Sequence, residues 1–284
     1  SKGVTRYHHQ ILQAVIVHPD NKQVIPLAPE AIQNTDGTEK QDCEINAGKR
    51  LIKKVRATHP KLKIIVGGDD LFSNQPFIDE LKAAGMSFIL VAKPSSHKIL
   101  YEWFTDIKQM GEACRLEFTD FKKRHHIYEW VNKIPLNGTK DADDVNFFYY
   151  RLIDKGKITY RNSWVTDIVI DENNVIQLVK GGRARWKVEN EGFNTLKNQG
   201  YHIEHNFGHG HHNLSMIFFL LNLLAFFIHQ ILELTDLHYQ KCRAKFSARK
   251  EFWNQLRCTI RILLFKTLED LLAFIICPTQ SRSP

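Results

Sequence analysis

Two carboxylates in this sequence have the residue type and the setting that metal-ion chemistry requires, Asp69 and Glu189. Asp69 follows a predicted buried strand and two glycines, so it lies just beyond a strand's carboxyl end, where α/β folds place ligands. Glu189 lies within residues 185–197, which we predict to be a helix. Carboxylate oxygens suit Mg²⁺ or Mn²⁺. Paired ions of this kind activate an attacking oxygen and stabilise the leaving oxygen in phosphodiester chemistry.

The predicted helix at 185–197 places Glu189 in an apolar stripe. At ~100° per residue, the side that carries Glu189 also carries Trp186, Phe193 and Leu196. We therefore expect Glu189 to face the core and Glu191 to face solvent. Because an unpaired buried charge is costly, Glu189 requires a metal ion or a cation. An ion pair with Arg185, one turn earlier, explains the helix about as well.

A second helix, predicted over residues 42–56, carries a basic cluster that includes Lys49, Arg50 and Lys53. This cluster is either a solvated helix face or a contact to a phosphate backbone. The same two interpretations apply to the basic run at residues 122–126.

The remaining elements predict an α/β fold with an insertion. Residues 11–17 are typical of one buried strand, and residues 62–92 form a strand–helix–strand unit, which implies a partly parallel sheet. After a change of character at residue 95, the next strands resemble an antiparallel patch. Two apolar helices, 214–237 and 252–277, end the chain. The predicted parts are 1–94 (first part of the core), 95–171 (β-rich insertion), 172–212 (the part with the Glu189 helix) and 213–277 (C-terminal helices).

Bulk properties point to a polyanionic partner and a reducing compartment. The chain has 284 residues and a net charge of +8, which favours nucleic acid as a partner. Five scattered cysteines favour a reducing cytoplasm over a disulfide framework.

The apolar run at 216–228 is short for a bilayer and contains Asn222, so we expect a buried core helix and no membrane span. Strand-like sequence soon after Ser1 suggests a fragment that lacks its N-terminal part.

Histidines cluster before the apolar helices. They allow a zinc site, but they have no neighbouring cysteines, and a polar loop that touches DNA is the other interpretation. The histidines are His202, His205, His209, His211 and His212.

Two motifs carry a resemblance to a known family. Residues 185–190, R-W-K-V-E-N, closely resemble the R-W-x-I/V-E motif of DDE transposases of bacterial insertion sequences, in the insertion-sequence-4-like group. Residues 67–74, G-G-D-D-L-F-S-N, resemble that group's second-aspartate segment, in which a buried strand ends in D-x-L-x-S-N. The resemblance extends over residues 7–29 and 189–209, and it covers the chain from about residue 7 to residue 234.

The resemblance implies an RNase H-like mixed sheet flanked by helices, with a β-rich insertion between the second aspartate and the glutamate. It implies that Asp69 and Glu189 are the second and third catalytic carboxylates, with Mg²⁺ or Mn²⁺ as cofactor. It also implies DNA partners, namely transposon ends and target, strand cleavage and transfer, and action as a homodimer across two DNA ends. The separation of 120 residues between the two carboxylates (189 − 69) fits such an insertion.

The chain departs from the family pattern in two respects. The family's first aspartate lies N-terminal to the segment that begins at Tyr7, so it is absent here. The longer Y-x2-R-x3-E-x6-K signature is kept only in part. Arg185 and Glu189 have its spacing, but Gly182 stands at the tyrosine position, and Lys197 lies one residue beyond the lysine position. The phosphate-binding candidates are Arg185 and Lys197, together with the basic helix. The alternatives are an inactive remnant that binds DNA and a metal-dependent nuclease on the same fold.

Overall fold

The computed structural model describes residues 10–32, 42–205 and 212–277. The chain divides into two compact units. The first unit comprises Ser1–Gln13 and Pro29–Arg185, and the second comprises Ala14–Ala28 and Trp186–Pro284. The boundary therefore falls inside the R-W-K-V-E-N motif, between Arg185 and Trp186.

The first unit is an α/β structure with a six-stranded mixed sheet flanked by helices. Its elements in chain order are β1 (Gln10–Leu12), β4 (Glu30–Ile32), α1 (Glu44–Thr58), β5 (Ile65–Gly68), a 3₁₀ turn (Asp70–Phe72), α2 (Gln75–Ala83), β6 (Ser87–Val91), α3 (Lys98–Gln109), β7 (Cys114–Thr119), β8 (His125–Pro135), β9 (Asp144–Asp154), β10 (Lys157–Thr166) and α4 (Val175–Ala184). The strands β2 (Val15–Val17) and β3 (Val24–Pro26), which lie between β1 and β4 along the chain, belong to the second unit.

The sheet order is β5-β6-β10-β9-β8-β7. Strands β5 and β6 are parallel and are connected through α2, so the predicted strand–helix–strand unit is confirmed. The other neighbouring strands of the sheet are antiparallel. The strands predicted as an insertion therefore continue the same sheet as β5 and β6.

Strand β6 shows why helices cover both faces of this sheet. Its side chains alternate between two cores. Phe88 and Leu90 face a core formed with helices α1, α2 and α3, whereas Ile89 and Val91 face a core formed with α4. Because both sets are buried, the sequence Ser-Phe-Ile-Leu-Val has the continuous apolar character of a strand covered on both sides.

The second unit combines a small hairpin with helices. Its elements are β2 (Val15–Val17), β3 (Val24–Pro26), a π-helix (Val188–Phe193), α5 (Asn194–Asn198), α6 (Leu214–Thr235), α7 (Leu237–Ala244), α8 (Arg249–Ile262) and α9 (Leu268–Ile276). Its core is aromatic-rich, with Phe226, Tyr239 and Phe252 among the most deeply buried side chains.

Two of the elements that we predicted as continuous are each divided into two in the structure. Residues 11–17 form two short strands with different partners, since β1 pairs with β4 and β2 pairs with β3. No glycine or proline marks this break, so the apolar run concealed it. Residues 252–277 form two helices, and Thr267 begins the second by accepting a hydrogen bond from the Asp270 N–H in a capping box. That capping box is visible in the sequence.

Helix α6 is less buried than predicted. Among the described residues it alone is long and apolar enough to cross a membrane, judged by length and composition, and 17% of its apolar window is buried. Leu223, Phe226 and Gln230 are buried, whereas Leu221 and Leu224 are more than half exposed. A single helix of this kind is weak evidence for a membrane protein, because core helices of soluble proteins have the same composition.

Candidate active site

Asp69 lies at the carboxyl end of β5, as predicted. It has extended backbone angles and begins the 3₁₀ turn, where its carboxylate accepts a hydrogen bond from the Leu71 N–H at 3.1 Å. The side chain is exposed. A strand end with one local hydrogen bond thus presents a carboxylate to solvent.

Asp70, by contrast, is used by the fold. Its carboxylate accepts hydrogen bonds from the Lys93 N–H at 2.6 Å and from the Ser96 hydroxyl at 2.5 Å, and His97 Nε2 lies 3.6 Å away. These contacts tie the end of β5 to the loop that follows β6. Burial lowers the pKa of His97, and the charge of Asp70 opposes that shift. Asp69 is therefore the aspartate of this pair that is open to a ligand.

The Glu189 segment is helical, but its geometry differs from the prediction. Residues Val188–Phe193 form a π-helix, with i→i+5 hydrogen bonds, between ordinary helical turns. The periodicity of ~100° per residue fails there. Glu189 is exposed and Trp186 is 46% exposed, so the predicted burial of Glu189 was wrong. Glu191, which we expected to face solvent, is the more buried glutamate and lies 3.9 Å from Lys22.

Lys187 is a buried cation of this segment to which no sequence pattern points. Its side chain is buried, at 6% exposure, and its ammonium donates to three backbone carbonyls in the turn between β2 and β3. The distances are 2.6 Å to His18 O, 2.8 Å to Pro19 O and 2.5 Å to Asn21 O. Three donors meet three acceptors, so the buried charge is fully hydrogen-bonded without a carboxylate. Lys187 thereby fastens the Glu189 helix to the β2–β3 hairpin, a contact over more than 160 residues that periodicity cannot reveal.

A buried ion pair supports the same helical segment from its other end. Arg249 Nη2 and Nε donate to the Glu233 carboxylate at 2.7 and 3.0 Å, and Arg249 Nη1 lies 3.5 Å from Thr195 Oγ1 in α5. Burial would lower the pKa of Arg249, but its hydrogen bonds to Glu233 raise it above the ordinary value. The guanidinium therefore remains charged and links α6, α8 and α5. The sequence offers no signal for it, because the three partners are far apart along the chain.

Gly182, which stands where the longer transposase signature has a tyrosine, lies against the buried ring of Trp164. A Cβ at this position would lie 2.6 Å from Nε1 of the buried Trp164. The Trp164 ring occupies the space that any side chain at position 182 would need, so only glycine fits without rearrangement.

The predicted phosphate-binding residues occupy varied settings. Arg50 is held by Glu30 and Asp42, each at 2.7 Å, and its hydrogen bond to Asp42, then that to Glu30, raises its pKa. Lys53 lies 3.3 Å from Glu80, and Lys197 lies 2.7 Å from Glu204. Lys49 is half-buried on α1, and Arg185 is the half-buried residue that ends α4. The basic cluster on α1 is therefore in part a network of ion pairs.

The structure places the two predicted carboxylates in different units, Asp69 in the first and Glu189 in the second. Within residues 10–32, 42–205 and 212–277, no group of three or more His, Cys, Asp and Glu side chains is arranged to hold a metal ion. Of the clustered histidines, His209 and His211 lie outside the described residues. His202 and His205 line an open cavity of about 450 Å³ with Arg257 and apolar side chains of α6.

No protein-family model matches this sequence, and no curated protein is significantly similar to it. The resemblance to transposases therefore rests on the motifs around Asp69 and Glu189 themselves.

Proposed function

We propose that this chain is the catalytic domain of a DNA transposase, an enzyme that hydrolyses phosphodiesters at the ends of a transposon and transfers the strands to target DNA. The observation that carries the proposal is the exposed Asp69 at the carboxyl end of β5, in the segment G-G-D-D-L-F-S-N. The R-W-K-V-E-N motif with its exposed Glu189 supports it. The proposal includes an RNase H-like fold for the mixed sheet.

The donor chemistry of the two carboxylates fits Mg²⁺ or Mn²⁺. Mg²⁺ keeps several of its waters and is usually bound through one or two carboxylates, so exposed side chains such as Asp69 and Glu189 are suitable ligands. When bound, the metal would activate the attacking oxygen and stabilise the leaving oxygen. The Asp69 carboxylate already accepts a hydrogen bond from the Leu71 N–H, which fixes its orientation.

The other residues of the chain would orient these carboxylates and bind DNA. Asp70 fixes the loop beside Asp69, and Lys187 fixes the helix that carries Glu189. The net charge of +8 favours association with the DNA backbone. Arg185, one turn before Glu189, would neutralise a scissile phosphate. Such a protein would act as a homodimer on two DNA ends in the bacterial cytoplasm.

The test is DNA strand cleavage and joining by the purified full-length protein, with DNA that spans the boundaries of its own genetic element as substrate and Mg²⁺ or Mn²⁺ present. We expect Asp69→Asn and Glu189→Gln each to lower the rate by at least a hundredfold, because each removes a charged metal ligand. The matched controls are Asp79→Asn, an exposed aspartate on α2, and Glu191→Gln, two residues beyond Glu189.

Three results would contradict the proposal. Full activity of both Asp69→Asn and Glu189→Gln would remove the two carboxylates from the chemistry. Cleavage without joined strands would indicate a metal-dependent nuclease. Binding of element ends without any cleavage in either metal would indicate a DNA-binding protein without catalytic activity.

A further inference from the structure

The turn between β7 and β8 presents an aromatic ring to solvent. We call residues 119–125 the hairpin tip. Phe121 in this tip is 91% exposed, the second most exposed large apolar side chain among the described residues. Lys122 places its ammonium 5.6 Å from the centre of the Phe121 ring. A ring this exposed contributes little to the core and is available to a partner.

The hairpin tip is held in one conformation by Asp120. One carboxylate oxygen of Asp120 accepts the backbone N–H groups of Lys122 and Arg124, both at 2.9 Å. The other accepts Arg124 Nε and Nη2, at 2.8 and 2.7 Å. Lys123 adopts a positive φ of 61°, a conformation that costs a lysine about 1 kcal/mol or more and that these bonds maintain.

The base of the tip is fixed to the sheet by ring stacking. Phe118 on β7 stacks on His126 of β8, with ring centroids 4.9 Å apart and planes 7° apart. His126 lies 3.3 Å from Asp120 and 2.9 Å from the Tyr150 hydroxyl. Phe121 is thus an exposed ring on a rigid support, which lowers the entropy cost of inserting it into a partner.

The same end of the sheet is basic. His125 pairs with Ile153 near the end of β9, and Asp154 pairs with Lys157 across the next turn, so the β9–β10 turn lies at the same end as the hairpin tip. This end carries four exposed lysines, Lys122, Lys123, Lys155 and Lys157. Three carboxylates share this end with the lysines: Asp120 pairs with Arg124 at 2.7 Å, Glu117 pairs with Arg115 at 2.5 Å, and the charge of Asp154 acts on Arg124.

We propose that the hairpin tip is a contact site for duplex DNA, in which Phe121 inserts against the base stack from the minor groove while the four lysines contact phosphates. The inference rests on the proposed function in that DNA is the substrate. Proteins that enter the minor groove use apolar wedges such as Phe in this way, with basic residues on the flanking phosphates. An apolar protein surface would have to desolvate the Lys122 ammonium beside Phe121 and the other lysines at this end of the sheet, which disfavours it as the partner.

The experiment measures binding of the purified full-length protein to duplex DNA that contains a fluorescent adenine analogue. Unstacking of the analogue raises its fluorescence. We expect Phe121→Ala to weaken binding by roughly five- to a hundredfold, the value of one base–aromatic contact, and to abolish the fluorescence rise. Phe121→Trp should retain both signals. The control is Met110→Ala, which removes a 71% exposed side chain at the end of α3.

The lysines give an independent measurement. The double variant Lys122→Met, Lys123→Met should lower the slope of log K against log salt by about 2, since each lost phosphate contact contributes about 0.9. The variants should unfold at the wild-type temperature, because these side chains are exposed.

The outcomes separate the two proposals. If the wild-type protein does not bind duplex DNA, the proposed function fails together with this inference. If it binds and Phe121→Ala retains both affinity and the fluorescence rise, the inference about the hairpin tip is wrong and the proposed function stands.

Discussion

The two adjacent aspartates at the end of β5 have different roles, and their hydrogen bonds assign them. Asp70 accepts donors from Lys93 and Ser96 and holds the loop after β6, whereas Asp69 is exposed with one local hydrogen bond. A similar division separates the glutamates of the π-helix, where Glu191 is the more buried and Glu189 the exposed one. In both pairs the residue that the motif singles out is the one the fold does not bury.

Lys187 should be required for stability of the second unit. The substitution Lys187→Met keeps the length of the side chain but removes the donors to three carbonyls in the β2–β3 turn. We expect the free energy of unfolding to fall by about 2–4 kcal/mol, since charged donors contribute strongly and the buried carbonyls lose their partner. Chemical denaturation measures it. Lys197→Met, at a surface ion pair with Glu204, should change it by less than about 1 kcal/mol. Equal effects in the two variants would contradict this role.

At the scale of elements, the setting of Asp69 depends on close packing of strands, and that of Glu189 depends on one irregular helix. Gly68, the last residue of β5, lies so near β6 that an added Cβ would meet Leu90 Cδ2 at 2.7 Å and Phe72 Cβ at 3.3 Å. The π-helix sets the direction of Glu189 in a way that a regular helix would not. Such π-helical turns are frequent at functional sites, because their extra residue redirects side chains.

Gly68→Ala should destabilise the end of β5. Leu90 is fully buried and must change its conformation to accommodate a methyl group, at a cost of about 1–3 kcal/mol in the free energy of unfolding. The matched control is Gly67→Ala, because a Cβ there meets no atom within 4 Å. Denaturation of both variants measures the difference. If Gly67→Ala and Gly68→Ala behave alike, the close approach of β5 and β6 is wrong.

The packing of α6 against α8 predicts a pH dependence through His229. Its ring stacks on Trp253 with centroids 3.8 Å apart, and its Nδ1 lies 2.7 Å from the Tyr201 hydroxyl. Burial lowers the pKa of His229 to about 4, against the opposing charge of Glu233. The ordinary value is 6.5, so the unfolded chain binds the proton more readily. The free energy of unfolding is therefore highest above pH 6.5 and decreases as the pH falls to about 4, because protons bind more readily to the unfolded chain.

Protonation of His229 should lower the free energy of unfolding by about 3 kcal/mol at the acidic end of this range. His229→Phe keeps the stacked ring and should flatten the pH profile of unfolding between these values. His238→Phe, at an exposed position of α7, should leave the profile unchanged. A wild-type profile with no slope in this range would contradict the buried, neutral state of His229.

At the scale of the whole molecule, the sequence predicts more of the fold than of the site. The α/β class, the parallel β5–β6 pair and the strand-end position of Asp69 follow from apolar runs and glycines, which are local signals. The break of the predicted strand at residues 11–17 and the contacts of Lys187 and Arg249 are long-range, and no local pattern encodes them. The exposure of Glu189 does not follow from the sequence, because a regular helical period predicts burial and the π-helix departs from that period.

The most direct test of the proposed function, in which Asp69 and Glu189 are metal ligands, is a change of metal preference. In Asp69→Cys and Glu189→Cys a soft thiolate replaces a hard carboxylate, which disfavours Mg²⁺ more than Mn²⁺. Strand cleavage and joining by each variant would be measured in either metal, beside Glu191→Cys as a control. We predict that Asp69→Cys and Glu189→Cys lose activity in Mg²⁺ and regain part of it in Mn²⁺, while Glu191→Cys behaves as the wild type. Wild-type activity of Asp69→Cys and Glu189→Cys in Mg²⁺ would contradict the claim.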